Sequence, residues 1–322
     1  MIAIVILNWN GADDTLACLE SLSHVEEPHF VVIADNNSTN DSVERIRYWL
    51  DQHSDNDNVR QYQLLQLDAN YGFAVGNNKA LAVAMQRNPD YCLLLNNDTE
   101  VEPDFLTHLA DYVRHRPEVK ILSPCICYYS DKEKVWFSGG ELSFGVRKNL
   151  YVNKAVDTVE KQPYSISFIS GCALFFETSL LNEHYELFNN DFFFGEEDFE
   201  FSLRMKKQCV PMVCVPQSLV YHKVGASQKN TKDARGLGRA YMYYHNRLVC
   251  NRMYEGRAKF YLIWMLTGLT SLRYFVDYSG SWKIGLKIVA HLLKKTRVSR
   301  AVDSKDFQAL MFDNTYFPFA VK

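Results

Sequence analysis

Residues 91–98 read YCLLLNND, a short apolar run that ends in three polar residues. Three other apolar runs precede it, and segments with helical spacing separate the four. The apolar runs are residues 2–7, 30–34, 62–67 and 91–95, and the helical segments are residues 15–22, 42–50 and 75–86. This alternation predicts an α/β fold with a Rossmann-like, mostly parallel sheet that is flanked by helices.

A polar turn follows each of the four predicted strands. The turns are Asn8-Trp9-Asn10, Asp35-Asn36-Asn37-Ser38, Asn70-Tyr71-Gly72 and Asn96-Asn97-Asp98. Open parallel sheets bind their ligands outside the carboxyl ends of the strands. The four turns are therefore expected to share one edge of the sheet and to form the ligand site.

The composition is that of an ordinary globular protein, with 322 residues of which 47% are hydrophobic and 23% charged. The second half predicts helices at residues 105–114, 197–207 and 235–253, strands at 121–127 and 210–215, and hairpins and loops at 128–165. A change of composition near Gly256 divides the chain into a catalytic-type domain, residues 1–255, and a basic helical extension, residues 256–322.

The overall net charge of −3 gives no case for a nucleic-acid partner, but residues 257–300 carry nine basic residues and one acidic residue. Residues 281–295 predict an amphipathic helix. Its basic side holds Lys283, Lys287, His291 and Lys294, and its apolar side holds Trp282, Leu286, Val289 and Leu293. Such a helix suits an anionic membrane surface. Packing on the rest of the chain, or formation of a homodimer, stays open.

The first residues lack the basic start and the cleavage site of a signal peptide, so they are interpreted as the first strand. The longest uncharged apolar stretch, residues 260–272, is shorter than the roughly 20 residues that span a bilayer. We therefore expect a cytoplasmic protein that lies peripherally on the inner face of the plasma membrane.

Two carboxylates on the predicted strand ends have binding chemistry. Asp35 suits the imide N–H of a pyrimidine or a ribose hydroxyl, although with Ser38 it also suits an ordinary Asx turn. Asp98 follows a buried strand and suits a hard cation such as Mg²⁺ or Mn²⁺. Asn-Asn-Asp also makes ordinary turns, so each motif alone has two interpretations.

Residues 196–200 read EEDFE, and these four acids would repel one another without a cation or basic side chains nearby. Acids in the first turn of a helix are also favoured by the helix dipole. His222 ends another apolar run, where a structural histidine is the more frequent interpretation. It becomes a candidate metal ligand if it meets Asp98 in space.

Taken together, these segments resemble the family 2 glycosyltransferases, inverting enzymes of the GT-A fold that use nucleotide sugars, and most of all their bacterial rhamnosyltransferase-like branch. The resemblance covers about residues 2–250. It rests on residues 5–11 (VILNWNG), 35–38 (DNNS), 70–78 (NYGFAVGNN), 94–99 (LLNNDT) and 171–176 (GCALFF), on Glu197-Asp198 with Arg204, and on Tyr221-His222.

The resemblance implies a role for each matching residue. The donor would be bound by Asn8, Asn10, Asp35, Asn37, Asn70, Gly72, Asn77, Asn96 and Asp98. Asp198 would be the catalytic base, Gly171 and Glu197 would lie on the acceptor side, and Asp98 with His222 would hold a divalent metal, Mg²⁺ or Mn²⁺. Asn96 stands where the family's DxD motif has its first Asp, and Asn36 stands where a second Asp is usual.

The implied reaction moves a sugar from a nucleoside-diphosphate sugar, with dTDP-rhamnose favoured over UDP-hexoses or UDP-galactofuranose, to a hydroxyl of a glycan or lipid-linked glycan in surface polysaccharide assembly. Two other classes are weighed against it. A nucleotidyltransferase would need a Gly-rich phosphate loop after the first strand, and residues 8–11 do not have one. An inactive glycan-binding scaffold should have lost Asp98, Asp198 or His222, and all three are present.

Overall fold

The computed structural model describes residues 1–53, 60–224, 234–313 and 316–317. The strands in these ranges are β1 (Ile2–Asn8), β2 (His29–Asp35), β3 (Arg60–Gln66), β4 (Tyr91–Asn96), β5 (Thr99–Val101), β6 (Ile121–Tyr128), β7 (Asp131–Phe137), β8 (Gly140–Ser143), β9 (Val146–Asn149), β10 (Tyr164–Ile166), β11 (Ala173–Glu177) and β12 (Met212–His222). The helices are α1 (Ala12–Leu22), α2 (Ser42–His53), α3 (Gly72–Ala84), α4 (Phe105–His115), α5 (Glu197–Lys207), α6 (Ala234–Tyr254), α7 (Arg257–Ser279), α8 (Trp282–Lys295) and α9 (Ser304–Gln308).

One mixed sheet forms the centre of the described structure, in the order β10-β12-β6-β11-β4-β1-β2-β3. Strands β4, β1, β2 and β3 are parallel neighbours, β6 is parallel to β12, and β11 runs antiparallel between β4 and β6. β1, β2 and β4 are almost completely buried, as strands covered by helices on both faces should be. The predicted α/β fold with a mostly parallel sheet is confirmed.

Strand register brings the polar turns to one edge. Asn8 pairs with Asp35 across β1 and β2, and Leu7 pairs with Asn96 across β1 and β4. The strand predicted at residues 210–215 is longer than expected and reaches His222. Its pairing with β6 shifts between Val215 and Leu219. This irregularity contains Pro216, which has no N–H to donate to a neighbouring strand.

The C-terminal helices pack on the rest of the chain around a second apolar cluster. The cluster includes Leu237, Tyr241 and Leu248 of α6, Ile263 and Phe275 of α7, and Ile288 and Leu292 of α8. α6 therefore shares a core with the helices that follow residue 256. The proposed boundary between residues 255 and 256 stays a prediction.

The predicted assignment of α8 residues to an apolar side and a basic side is wrong for several residues. Its buried face is Gly285, Ile288, Val289 and Leu292. A Cβ on Gly285 would lie 2.6 Å from Cγ2 of Val276, so the glycine permits α7 to pack this closely. Trp282 and Leu286, predicted to lie on the same face as Val289, are 65% and 53% exposed. His291, predicted on the basic side, shares a hydrogen bond with the Tyr241 hydroxyl (2.8 Å).

Across the described residues, every helix is too short or too polar to cross a bilayer.

Candidate active site

The polar turns after β1 and β2 are joined through the buried pair Asn8 and Asp35. The Asn8 amide donates to Oδ2 of Asp35 (2.7 Å), and its Oδ1 accepts from the N–H of Gly11 (3.1 Å) and the hydroxyl of Thr15 (2.9 Å). Asp35 also accepts from the N–H of Ser38 (2.8 Å), which is the Asx turn that the sequence left open. Both side chains are buried, so in this conformation they position the turns.

Asn10 and Asn37 stand on the exposed side of the same turns. Both have a left-handed backbone, with φ of 57° and 61°, which Asn tolerates better than most residues. Oδ1 of Asn10 accepts a hydrogen bond from the N–H of Thr39 (2.8 Å), and the backbone N–H of Asn10 donates to the Ser38 hydroxyl (2.8 Å). Among the predicted donor-binding residues, these two are the exposed ones.

Asn36 links the turn after β2 to the turn after β3. Its amide donates to Oδ1 of Asn70 (3.0 Å) and to the Gly72 carbonyl (3.0 Å), and its Oδ1 accepts from the N–H of Tyr71 (2.9 Å). A carboxylate here could accept but could not donate, so the amide in place of the family's usual Asp has a structural reason. The sequence shows this substitution but does not reveal its structural role.

Gly72 is required by its surroundings. Its φ is +74°, and a Cβ would lie 2.0 Å from the carbonyl oxygen of Phe193. The next N–H, of Phe73, donates to that oxygen (2.8 Å), so the start of α3 is joined to the segment that leads to α5. Asn77 is buried on α3 and donates to the Phe73 carbonyl (2.9 Å).

Asp98 and His222 meet although 124 positions separate them in the numbering. β5 pairs antiparallel with β12 so that Thr99 lies opposite His222, and the N–H of Lys223 donates to the Asp98 carbonyl (2.9 Å). Nε2 of His222 lies 3.2 Å from Oδ1 of Asp98. Burial acts to lower the pKa of His222, but Cys172 and Asp98 outweigh it and raise that pKa above its ordinary value.

This pair fits a divalent cation. Two donor atoms each held about 2.0–2.1 Å from one ion at right angles lie about 3 Å apart, close to the separation seen. A carboxylate oxygen with an imidazole nitrogen is a donor set that Mn²⁺ accepts. Asn96, half-buried beside them, donates its backbone N–H to the Cys172 carbonyl (2.8 Å). Within the described ranges, no group of three or more His, Cys, Asp or Glu side chains is arranged to hold a metal ion.

Asp198, the second residue of α5, lies on the other side of the Gly171-Cys172 turn. The Gly171 N–H donates to its Oδ2 (3.3 Å), and Nη1 of Arg147 lies 3.6 Å from its Oδ1. Burial raises the pKa of Asp198, and Arg147 opposes that rise. Because Cys172 contacts His222, this turn brings the carboxylate of Asp198 close to the Asp98–His222 pair.

The acids at the start of α5 lie beside basic side chains, as their close spacing in the sequence requires. Glu196 is buried with φ of 69°; it accepts two hydrogen bonds from Arg247 (both 3.0 Å) and lies 2.9 Å from Nη1 of Arg147. Glu197 is buried too, and burial together with Asp198 raises its pKa to about 8. The sequence did not predict Arg147 or Arg247. It showed only that the clustered acids need basic partners.

The comparisons identify the class of protein. Residues 3–184, more than half of the chain, match the model of glycosyl transferase family 2. The chain therefore belongs to this family of glycosyltransferases. No curated protein matches it in sequence.

Solved structures show the same fold at low identity. A mannosyltransferase from Pyrobaculum calidifontis, in complex with GDP-Man and Mn²⁺, is 15% identical with a TM-score of 0.55, over 91% of this chain and 74% of its own. S. aureus TarS 1–349 in complex with UDP is 13% identical with a TM-score of 0.52, over 98% and 84%. GalNAc-T7 with UDP, GalNAc and Mn²⁺ is 14% identical with a TM-score of 0.53, over 90% and 58%.

The Asn36 network yields a prediction about stability. Asn36→Asp replaces a donor with a buried carboxylate that faces two oxygens, so we expect the free energy of unfolding to fall by about 1–3 kcal/mol. Urea denaturation measures it. The matched control is Asn37→Asp, the same change at the exposed neighbouring residue, for which a change within about 0.5 kcal/mol is expected. Equal effects of the two substitutions would contradict the structural role.

Proposed function

We propose that the chain transfers a sugar from a nucleoside-diphosphate sugar to a hydroxyl of a glycan or lipid-linked glycan acceptor, with inversion at the anomeric carbon. The observation that carries the proposal is the Asp98–His222 pair at the end of a central strand, with the half-buried Asp198 on the far side of one turn. Structural neighbours solved with GDP-Man, UDP and Mn²⁺ support a nucleotide donor and a divalent metal.

Asp98 and His222 would hold Mg²⁺ or Mn²⁺ beside the donor diphosphate. When bound, the cation neutralises the negative charge that develops on the departing nucleoside diphosphate. Asn10 and Asn37, on the accessible side of the first two turns, would contact the donor. The buried side chains of Asn8, Asp35 and Asn77 would keep the turns in place.

Asp198 would accept the proton of the acceptor hydroxyl as that oxygen attacks the anomeric carbon. Its burial raises its pKa towards the working pH, which makes it a stronger base, while Arg147 favours the ionised form that the reaction needs. Direct displacement needs no nucleophile from the protein. Gly171 holds the base in place through its backbone N–H. Glu197, the neighbouring residue on α5, would border the acceptor.

The donor we favour is dTDP-rhamnose, and the setting we favour is surface polysaccharide assembly on the cytoplasmic side of the membrane. Both rest on the resemblance of residues 35–38, 70–78 and 94–99 to the rhamnosyltransferase-like branch. A thermal-shift screen of dTDP-rhamnose, UDP-hexoses and UDP-galactofuranose with Mn²⁺ tests the donor. A larger shift with a UDP-sugar would overturn this choice while leaving the class of reaction intact.

Two substitutions should impair different steps, one the chemical step and the other donor binding. Asp198→Asn keeps the shape but removes the proton acceptor, so transfer should fall by ~10²–10⁴ while donor binding survives. Asp98→Ala should instead abolish donor binding in the presence of Mn²⁺, because the cation loses its carboxylate. Calorimetry with donor and Mn²⁺, alongside release of free nucleoside diphosphate, separates the two. A wild-type rate in Asp198→Asn would make Glu197 the next candidate for the base.

Arg147 should control the pH dependence of transfer. Arg147→Met removes the positive charge that opposes the raised pKa of Asp198, so that pKa rises further. The base works only when ionised, and the acid limb of kcat/KM should therefore move to higher pH. Glu196 keeps its ion pair with Arg247, so the turn should persist. Lys148→Met, at the exposed next residue, is the matched control, and an unmoved limb in Arg147→Met would refute the role.

We also propose that α7 contacts an anionic membrane surface. One side of this helix exposes five apolar residues, Tyr261, Leu262, Met265, Leu266 and Leu269. Arg257 and Arg273 are exposed near the two ends of this apolar side, and Lys259, also exposed, pairs with Glu255 (2.8 Å) beside it. Apolar side chains bordered by basic ones match the headgroup region of an anionic bilayer.

Flotation with vesicles tests this contact. The wild type should float with vesicles that contain phosphatidylglycerol, and the variant Leu262→Ser/Leu266→Ser/Leu269→Ser should not, because its apolar contact is lost. Unchanged nucleotide binding would show that the variant is folded. Equal flotation of both proteins would contradict the proposal. So would dimerisation of the wild type, measured by sedimentation, that the triple variant abolishes.

A further inference from the structure

A cavity of about 280 Å³ lies between α6 and α7, outside the donor turns. Four tyrosines and an arginine line it, with Gly236 and Ala240 between them. They are Tyr243, Tyr244, Tyr274, Tyr278 and Arg239. Tyr274 is 37% exposed, so the cavity is accessible from solvent.

The tyrosine rings form a continuous wall. Tyr243 and Tyr244 meet edge to face with 5.2 Å between their centroids, and Tyr244 meets Tyr274 in the same way at 6.3 Å. Tyr274 and Tyr278, one turn apart on α7, are stacked with centroids 4.7 Å apart. Each ring joins an apolar body to a polar hydroxyl, so the wall has aromatic surface and hydrogen-bonding groups together.

This wall reaches the two arginines that pair with Glu196, one of which also contacts the proposed base. The guanidinium of Arg247 lies 4.1 Å from the ring centroid of Tyr243, and that of Arg147 lies 5.8 Å from the same centroid. Both arginines pair with Glu196, and Arg147 also contacts Asp198. Asn246 of α6 donates to the Gly195 carbonyl (2.8 Å), which fixes this helix to the turn before α5. Tyr243 therefore lies between the cavity and Arg147, and Arg147 lies between Tyr243 and the proposed base.

We propose that this cavity binds a sugar ring of the acceptor glycan. Aromatic rings pack against the C–H face of a pyranose, and the tyrosine hydroxyls and Arg239 hydrogen-bond to its hydroxyl groups. An alkyl chain fits poorly, because the described part of the lining holds tyrosine rings with polar hydroxyls and no Leu, Ile or Val, and an alkyl chain has no groups that hydrogen-bond to those hydroxyls. This inference rests on the proposed function, since it assigns the acceptor of the same reaction.

Fluorine NMR of the full chain labelled with 3-fluorotyrosine tests the inference. The resonances of Tyr274 and Tyr278 are assigned with Tyr274→Phe and Tyr278→Phe, which keep the rings. The probes are the methyl glycosides of rhamnose, glucose, galactose and N-acetylglucosamine, and hexanol stands for a lipid chain. At least one glycoside should shift both resonances in a saturable way, while Tyr48, 69% exposed on α2, should not respond.

Tyr278→Ala should weaken the binding of the responding glycoside by about tenfold, and Tyr48→Ala should leave it unchanged. Shifts with hexanol alone, no saturable shift with any glycoside, or an equal response of Tyr48 would each overturn the inference. Binding of dTDP or UDP with Mn²⁺ is measured in the same samples. Nucleotide binding without a glycoside response would refute the cavity assignment and leave the proposed function standing.

Discussion

The buried carboxylate of Glu196 and its two arginines are the interaction on which the rest of the site depends. A buried charge is strongly unfavourable unless it is paired and hydrogen-bonded. Arg247 comes from α6 and Arg147 from the hairpin of β8 and β9, so neutralising one acid fixes three separate segments. Both arginines also lie against the ring of Tyr243, and Arg147 contacts Asp198, so the proposed base and the tyrosine cavity lie on either side of Arg147.

A second constraint is the edge of the parallel sheet, where side-chain amides make the hydrogen bonds that join the turns. Asn8 and Asn36 both donate and accept in the same network, and a carboxylate could only accept. These buried amides tie three turns together, whereas the side chains of Asn10 and Asn37 on the same turns are exposed. The family resemblance assigned Asn8, Asn10 and Asn37 alike to donor binding, although Asn8 is buried and the other two are exposed.

The segments that complete the site lie beyond the part of the chain that matches the family model. That match ends at residue 184, whereas Glu196, Asp198, His222 and Arg247 follow it. α6 links the two parts, because it anchors the turn before α5 and also shares an apolar core with α7 and α8. α6 therefore connects the C-terminal helices with the site. An exposed apolar side lies on α7, whereas the sequence pattern indicated one on α8.

The sequence by itself determined the alternating strands and helices, the shared edge of polar turns and the candidates Asp98, Asp198 and His222, because strand period, turn chemistry and motif order are local properties. Only the tertiary structure decided that Asn8 and Asp35 are buried together, that Arg147 and Arg247 neutralise Glu196, and which face of α8 is covered. These outcomes depend on the packing of segments 27 to 51 residues apart in the chain, where burial and ion pairing override the local pattern.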